Sequence, residues 1–545
     1  MEKRIILAFI LSFGVLYAFR AFFVPSEPAP SASATTTAPV SAPATGQEVP
    51  KTIELPKADP SAAAPVSDIQ SDKTDNIVVD TPLYTATVSN VGGVLKSYKL
   101  KAYSDGKGQP LELINAASGE KVGWPLGLET DDTSLNGTLA KAPFAARQDG
   151  DHVVLEYAAS GVHARKELQF DRENYEFSFQ TLLTKDGMTV PHSVVWQSGF
   201  GDQSLAPDPA RDNVLHQVDA AFTKVSLRNI KDVQTFTSPR VGIEDQYFLA
   251  MYLFDAPVTA KAQKQEYPGS DGNAVPTFHL SAQMPDGKPI RVYVGPKDRD
   301  WLSKADPQLS AVINYGWFEF ISKPLLFVLL WIHSYIGNFG WSIIILTLAI
   351  NLLLFPLKLK QQLSMLKMQK IQPQMRTLQD KYKKLKANDP RRAQLQAEMM
   401  GLYKEHGVNP LGGCLPLLLQ LPVFYGLYSM LSISIELRRA PWALWITDLS
   451  QADPYYVLPI LLAVSMFIIQ KMTPTTVDPA QAKMMMIMPV MFAFMFLRAQ
   501  AGLTLYWMAG NLVGIGQQVF INKYWSPQAE AKLQAKKQPK ENGDK

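Results

Sequence analysis

Two hydrophobic periods divide the chain. From about Ile77 to Asp300, short segments alternate apolar and polar positions, as in Tyr84-Thr-Ala-Thr-Val88, Val153-Val-Leu-Glu-Tyr157, Tyr175-Glu-Phe-Ser-Phe179 and Ile290-Arg-Val-Tyr-Val294. A period of two places successive side chains on opposite faces of a strand, so each segment has one face for a core. The pairs Asp105-Gly106, Asn136-Gly137, Asp149-Gly150, Asp186-Gly187, Asp271-Gly272 and Asp286-Gly287 punctuate them, and such pairs suit tight hairpin turns. Many short strands at this spacing predict an all-β sandwich of roughly 200 residues or a little more.

Beyond Pro307 the alternation gives way to long uncharged runs. Residues 339–357 supply about 19 positions, near the roughly 20 that a helix needs to cross a hydrocarbon core. The run stops at Pro356 and Lys358. Further spans are expected at 411–435, 454–470, 484–497 and 503–522. The stretch before residue 339 is broken from it by Gly337-Asn338 and mixes Glu319, Lys323 and His333 with Trp317, Phe318, Phe320 and Trp331. That mixture suits a helix lying in the membrane interface. At the N-terminus Lys3 and Arg4 precede an apolar run to Val24, longer than an ordinary signal core and expected as an uncleaved anchor.

Charge orients these spans. Between Lys358 and Glu405 twelve Lys and Arg face four acids, a net charge of +8, and a short loop this basic is retained in the cytoplasm. The loop at 436–453 has two Arg and three acids and belongs outside, while the tail from Lys523 has six Lys against three acids and belongs inside. The expected architecture is an α-helical polytopic membrane protein with six transmembrane helices, both termini cytoplasmic, and a large extracytoplasmic β-sandwich. Its parts are an anchor at 1–24, a Pro/Ala/Ser/Thr-rich linker at 25–70 that cannot bury a core, the sandwich at 71–306 and the interfacial helix at 307–337. A transmembrane helix at 338–357, a basic helical hairpin at 358–408, the remaining spans at 409–522 and a basic tail at 523–545 complete it.

Composition narrows the chemistry. The single cysteine, Cys414, excludes an intrachain disulfide. His152, His163, His192, His216 and His279 are scattered without metal-ligand spacing, so neither metal nor cofactor is expected. Coupled transporters commonly carry ionisable groups within the membrane, but the five spans from residue 339 onward have no Asp, Glu or His in their interiors. A passive pore, or a sugar-acting enzyme in the sandwich, are the competing readings. The polar groups inside the spans are amides instead: Asn351, Gln420, Asn511, Gln517 and Gln518. Such amides either join helices by hydrogen bonds or admit water and lower the barrier that polar flanks meet in lipid.

Several motifs resemble the YidC insertases of the bacterial inner membrane, relatives of the mitochondrial Oxa-type and chloroplast insertases. They are Asn338-Phe-Gly-Trp-Ser-Ile-Ile-Ile345, Val408-Asn-Pro-Leu-Gly-Gly-Cys-Leu-Pro416, Glu436-Leu-Arg-Arg-Ala-Pro-Trp-Ala-Leu-Trp445, Asp453-Pro-Tyr-Tyr456, Gln470-Lys-Met-Thr-Pro474 and Gly502-Leu-Thr-Leu-Tyr-Trp507. Asn90-Val-Gly-Gly-Val94 is similar to the periplasmic domain of Gram-negative members. The resemblance implies a protein that inserts newly made membrane proteins, alone or beside the Sec translocon, through a hydrophilic groove among five core helices. It implies groove roles for Thr347, Tyr506 and Trp507 beside Asn351, Gln420, Asn511 and Gln517. The hairpin's Lys367, Lys370, Arg376, Lys383, Lys384, Arg391 and Arg392 are expected to meet partners such as the ribosome, the signal recognition particle or its receptor, or membrane lipids. One position departs from the pattern. Many members carry an Arg five residues before the proline of the first core span, and this chain has Asn351, so its groove is expected to lack a fixed positive charge.

Overall fold

The computed structural model describes residues 68–205, 209, 211–269, 272–382, 391–407, 415–473 and 479–525. The expected anchor and nearly all of the linker lie outside these residues, as do Lys383, Lys384, the run at 408–414 and the tail beyond 525.

The period-two segments are strands that bury every second side chain, as in Val162–Phe170 and Glu176–Lys185. They form two sheets. The smaller is antiparallel in chain order: Asn76–Asp80, Tyr84–Ser89, Val94–Ser104 and Pro110–Glu112. The larger has 13 strands, and its spine is the 21-residue strand Phe248–Pro268. The spine's first part pairs with Ile290–Pro296, its second part with Ala274–Gln283, and Gln234–Glu244 runs along it with a bulge between Ser238 and Arg240. Both sheets share one core, to which Tyr84, Tyr98, Phe177, Trp196, Tyr252 and Tyr293 contribute. Tyr84 and Tyr98 stack with centroids 4.6 Å apart. Rings of this size carry much of the apolar area that a core buries.

A cation sits inside this domain. Lys166 is buried, and its ammonium donates to the carbonyls of Gly92, Gly93 and Leu126 at 2.8, 2.9 and 2.8 Å. Gly92 and Gly93 have φ of 73° and 59°, and a Cβ on Gly92 would lie 2.8 Å from the Ala140 carbonyl oxygen. The Gly-Gly pair therefore turns its carbonyls inward, where a lysine collects them. Burial pushes the Lys166 ammonium down from 10.5 to about 7. The unfolded chain then binds a proton that the folded domain gives up, so this contribution to stability rises with pH between about 7 and 10.5. Denaturant unfolding of the full chain across that window should show the rise, and Lys166→Met should flatten it.

Among the described residues after 318, most are helical. We label the helices α1 (Glu319–Ile336), α2 (Phe339–Leu353), α3 (Phe355–Tyr382), α4 (Arg391–Glu405), α5 (Leu415–Ile433), α6 (Val457–Met472), α7 (Pro479–Phe496) and α8 (Ala501–Phe520). α1 ends at Gly337 in the left-handed conformation, and Asn338 caps α2 by accepting from the Trp341 amide, so the Gly-Asn break separates two helices. A Cβ on Gly340 would fall 2.1 Å from the Trp442 ring; only glycine lets that indole close over the start of α2. α2 and α3 meet at a 52° bend beside Pro356, where proline interrupts the helical ladder.

Among the described residues, Gly316–Ile336 is the one continuous helix long and apolar enough to cross a bilayer alone, and α2 with α3 qualifies only as a bent pair. α2 by itself covers about 22 Å at the helical rise. Leu329, Ile343, Leu346, Leu431, Leu462 and Leu505 form part of a second core among the helices.

The β domain and the helices are tied by the segment after α5. Ile435 is buried in the β core. Arg438 donates through Nε to Asp202 Oδ2 at 2.8 Å, bonds the same oxygen through Nη2, and reaches the Ser104 carbonyl at 3.0 Å. Its guanidinium lies 5.4 Å from the Phe248 ring centre. Arg439, at φ 55°, donates to Ser204 Oγ at 2.7 Å, and Gln246 donates to the Ser432 carbonyl at 2.7 Å.

Candidate functional site

α8 is the axis on which the polar groups converge. Its 20 residues carry Gly502, Gly510, Gly514 and Gly516, and the absence of side chains at Gly510 and Gly514 leaves room beside it. A cavity of about 300 Å³ fills that room, lined by Asn351, Lys358, Gln420, Phe424, Ile469, Tyr506, Trp507, Gly510, Asn511 and Gly514. α2, α3, α5, α6 and α8 each contribute to its wall.

Five of the seven residues expected in a groove line this space: Asn351, Gln420, Tyr506, Trp507 and Asn511. Gln517 stands at its edge, donating to the Asn351 carbonyl at 3.1 Å. Thr347 is one turn before Asn351 but buried, with its hydroxyl given to the Ile343 carbonyl at 2.6 Å. It shapes the wall as packing, not as lining.

The amides do two things at once. Gln420 donates to the Tyr506 hydroxyl at 3.0 Å and Asn511 to Ser465 Oγ at 3.1 Å, joining α5 and α6 to α8. They are interhelical bonds, and Gln420 and Asn511 also bound the cavity. Trp507 is held by Phe424, Phe492 and Phe496 at centroid separations of 4.6, 5.4 and 5.3 Å, which fixes its ring at the rim.

The expectation of a site without positive charge is overturned. Lys358, seven residues and about two turns after Asn351, folds back so that its ammonium donates to Asn351 Oδ1 at 2.7 Å and to Gln517 Oε1 at 3.1 Å. Its alkyl stem can lie along apolar surface while the charge is met by amide oxygens. Along the sequence Lys358 stands only as the first charge of the basic hairpin. The signal available was its spacing: Asn351 and Lys358 are separated by i, i+7, so both fall on one helical face if the helix continues. The bend at Pro356 hides that relation.

Of the hairpin residues, Lys370 and Arg376 are exposed on α3 and Lys367 is half-buried. α3 and α4 meet through Tyr382, whose hydroxyl donates to Glu398 at 2.8 Å, and through Lys381 at 3.8 Å from the same carboxylate. Arg391 and Arg392 open α4. Among the described residues no group of His, Cys, Asp and Glu has the arrangement of a metal site.

A bundle of apolar helices with an amide-lined recess, joined to a β-rich domain by a buried ion pair, defines a helical membrane protein with a large domain outside the bilayer. Two family models divide the chain accordingly: the periplasmic domain of YidC matches residues 76–328, and the 60 kDa inner membrane protein family matches residues 331–529. The membrane protein insertase YidC of Geotalea daltonii is 37% identical over 556 residues, covering 96% of this chain and 99% of that protein. The membrane protein insertase YidC of Campylobacter jejuni is 34% identical over 550 residues, covering 97% and 98%. A crystal structure of an active YidC insertase with its first transmembrane domain resolved is similar at 22% identity, with a TM-score of 0.36, over 84% of this chain and 95% of that one. The chain belongs to the YidC family of membrane protein insertases.

Proposed function

We propose that this protein inserts newly made proteins into the bacterial inner membrane and helps them fold, and that the recess at Asn351 and Lys358 is the polar groove it uses. The observation that supports the groove is the convergence of Asn351, Gln420, Asn511 and Lys358 on one space of about 300 Å³ inside a largely apolar bundle. A polar flank of an incoming chain loses water on entering lipid, at several kcal/mol for each unpaired group. Amide groups and one ammonium within the bilayer's inner half offer replacement hydrogen bonds, so the barrier falls without any bond being made or broken. Insertion of this kind is not an enzymatic reaction.

In this reading six helices cross the membrane, both termini face the cytoplasm and the β domain faces the periplasm. The basic hairpin, through Lys367, Lys370, Arg376 and its neighbours, meets the ribosome, the signal recognition particle or its receptor, and the Sec translocon works beside the bundle for some clients. Clustered Lys and Arg are what phosphate-rich partners require.

Photocrosslinking groups placed at Asn351, Gln420 and Trp507 should capture a stalled nascent membrane protein, while one at the exposed Ile460 on α6 should not. Equal capture from all four positions, or none from the first three, would rule the groove out. Gly510→Leu places a side chain in the same space and should slow insertion of every client; unchanged rates with the cavity filled would exclude the groove equally.

A further inference from the structure

A second amphipathic recess lies between the β domain, α1 and the end of α5. Its volume is about 320 Å³. Its lining includes charged groups, Asp298, Arg299 and Asp300 from the β domain, Lys323 from α1 and Glu436 from the loop after α5, and apolar ones, Leu326, Phe327, Leu330 and Ile433. Phe327 belongs to a stripe with Phe320, Trp331 and Tyr335 on one face of α1, and these four are 56–76% exposed. A stripe of large rings on a helix of this apolarity is a face for lipid, so the recess opens sideways where acyl chains would lie.

We propose that this recess holds one phospholipid with a primary-amine headgroup, its phosphate on Arg299 and Lys323, its ammonium on Asp300 and Glu436, and one acyl chain along Leu326, Phe327 and Leu330. The charges select that headgroup. Lys297, also at the wall, is taken up by Glu244 at 3.0 Å and by the Asp245 carbonyl at 2.6 Å. Asp298 is occupied in capping the helix Arg299–Ala305, and Lys323 shares its charge with Glu319. What is left for a ligand is Arg299 and the remaining share of Lys323, with Asp300 and Glu436, cationic and acidic groups within one pocket that complement phosphate and ammonium together. Burial pushes the Glu436 carboxyl up, and Asp298 and Asp300 push the same way; an arriving ammonium would relieve both effects. A glycerol headgroup offers the phosphate no cationic companion, and a choline headgroup offers no N–H to donate.

The experiment is lipid retention by the full chain, purified in detergent with equal amounts of phosphatidylethanolamine, phosphatidylglycerol and phosphatidylcholine, and read by native mass spectrometry. One ethanolamine lipid should be retained about tenfold over either competitor, a factor a few charge-assisted contacts supply. The double variant Asp300→Asn/Glu436→Gln, which removes the acids that read the amine, should remove the preference, and Leu330→Trp should remove retention itself. A photoactivatable ethanolamine lipid added to the unaltered protein should label peptides containing residues 298–300, 323–330 or 433–436, a readout that no folding defect can confuse. Equal retention of the three lipids, a preference unchanged in both variants, or labelling confined to other segments would overturn the proposal.

Discussion

Replacing Lys358 by Met should lower insertion of clients whose translocated flank carries Asp or Glu by about tenfold, while clients with neutral flanks stay within about threefold of the unaltered protein. The ammonium is held by two amide oxygens and is the charged side chain lining the recess. A hydrogen bond to a charged group contributes about 1.5–3 kcal/mol, and about 1.4 kcal/mol of barrier is a factor of ten in rate. Lys358→Arg should keep most activity because the charge survives. Asn351→Arg in the Lys358→Met background should restore acidic clients, since it returns a cation to the same cavity from one helix earlier. The measurement is the protease-protected fraction of each client in proteoliposomes. Equal losses for acidic and neutral clients would show that Lys358 only braces α2 against α8.

The second large effect is expected at the junction of the two domains. Arg438→Met should destabilise the docking of the β domain by about 3–5 kcal/mol, the cost of leaving a buried partner charge alone. Asp202 would keep its place, accepting from the Ser204 amide at 2.9 Å, with no cation opposite. Asp202→Asn added to Arg438→Met should recover most of the loss, because no unpaired charge then remains. Hydrogen exchange of the full chain in detergent would report this as faster exchange at residues 429–439 and around Ser104 in the single variant and near-normal rates in the double. If exchange there is unchanged in Arg438→Met, the ion pair does not hold the domains together.

Part of the fold is legible in the order of residues. Alternation at period two specifies strands in 153–157 and 175–179 because burial in a sheet is decided residue by residue along one segment. Gly337-Asn338 marks a helix break for an equally local reason, the left-handed cap and the side-chain cap. The pairing of those strands is not legible. Phe248–Pro268 serves three partner strands, an arrangement that depends on contacts between distant segments. Likewise Asn351, Gln420, Tyr506, Trp507 and Asn511 can each be picked out as polar or aromatic groups in apolar runs, yet Thr347, which the same resemblance placed in the groove, is buried packing.

The class of each segment, the charge of the hairpin and the family all follow from residue order, since periodicity, composition and motif are properties of neighbouring residues. Where charge resides is a matter of three-dimensional folding. The bend at Pro356 brings Lys358 back to Asn351 and Gln517, and docking after α5 buries Arg438 on Asp202. Electrostatic energy depends on separation and burial in space, and for contacts between distant segments, Lys358 with Gln517 and Arg438 with Asp202, the tertiary structure sets both.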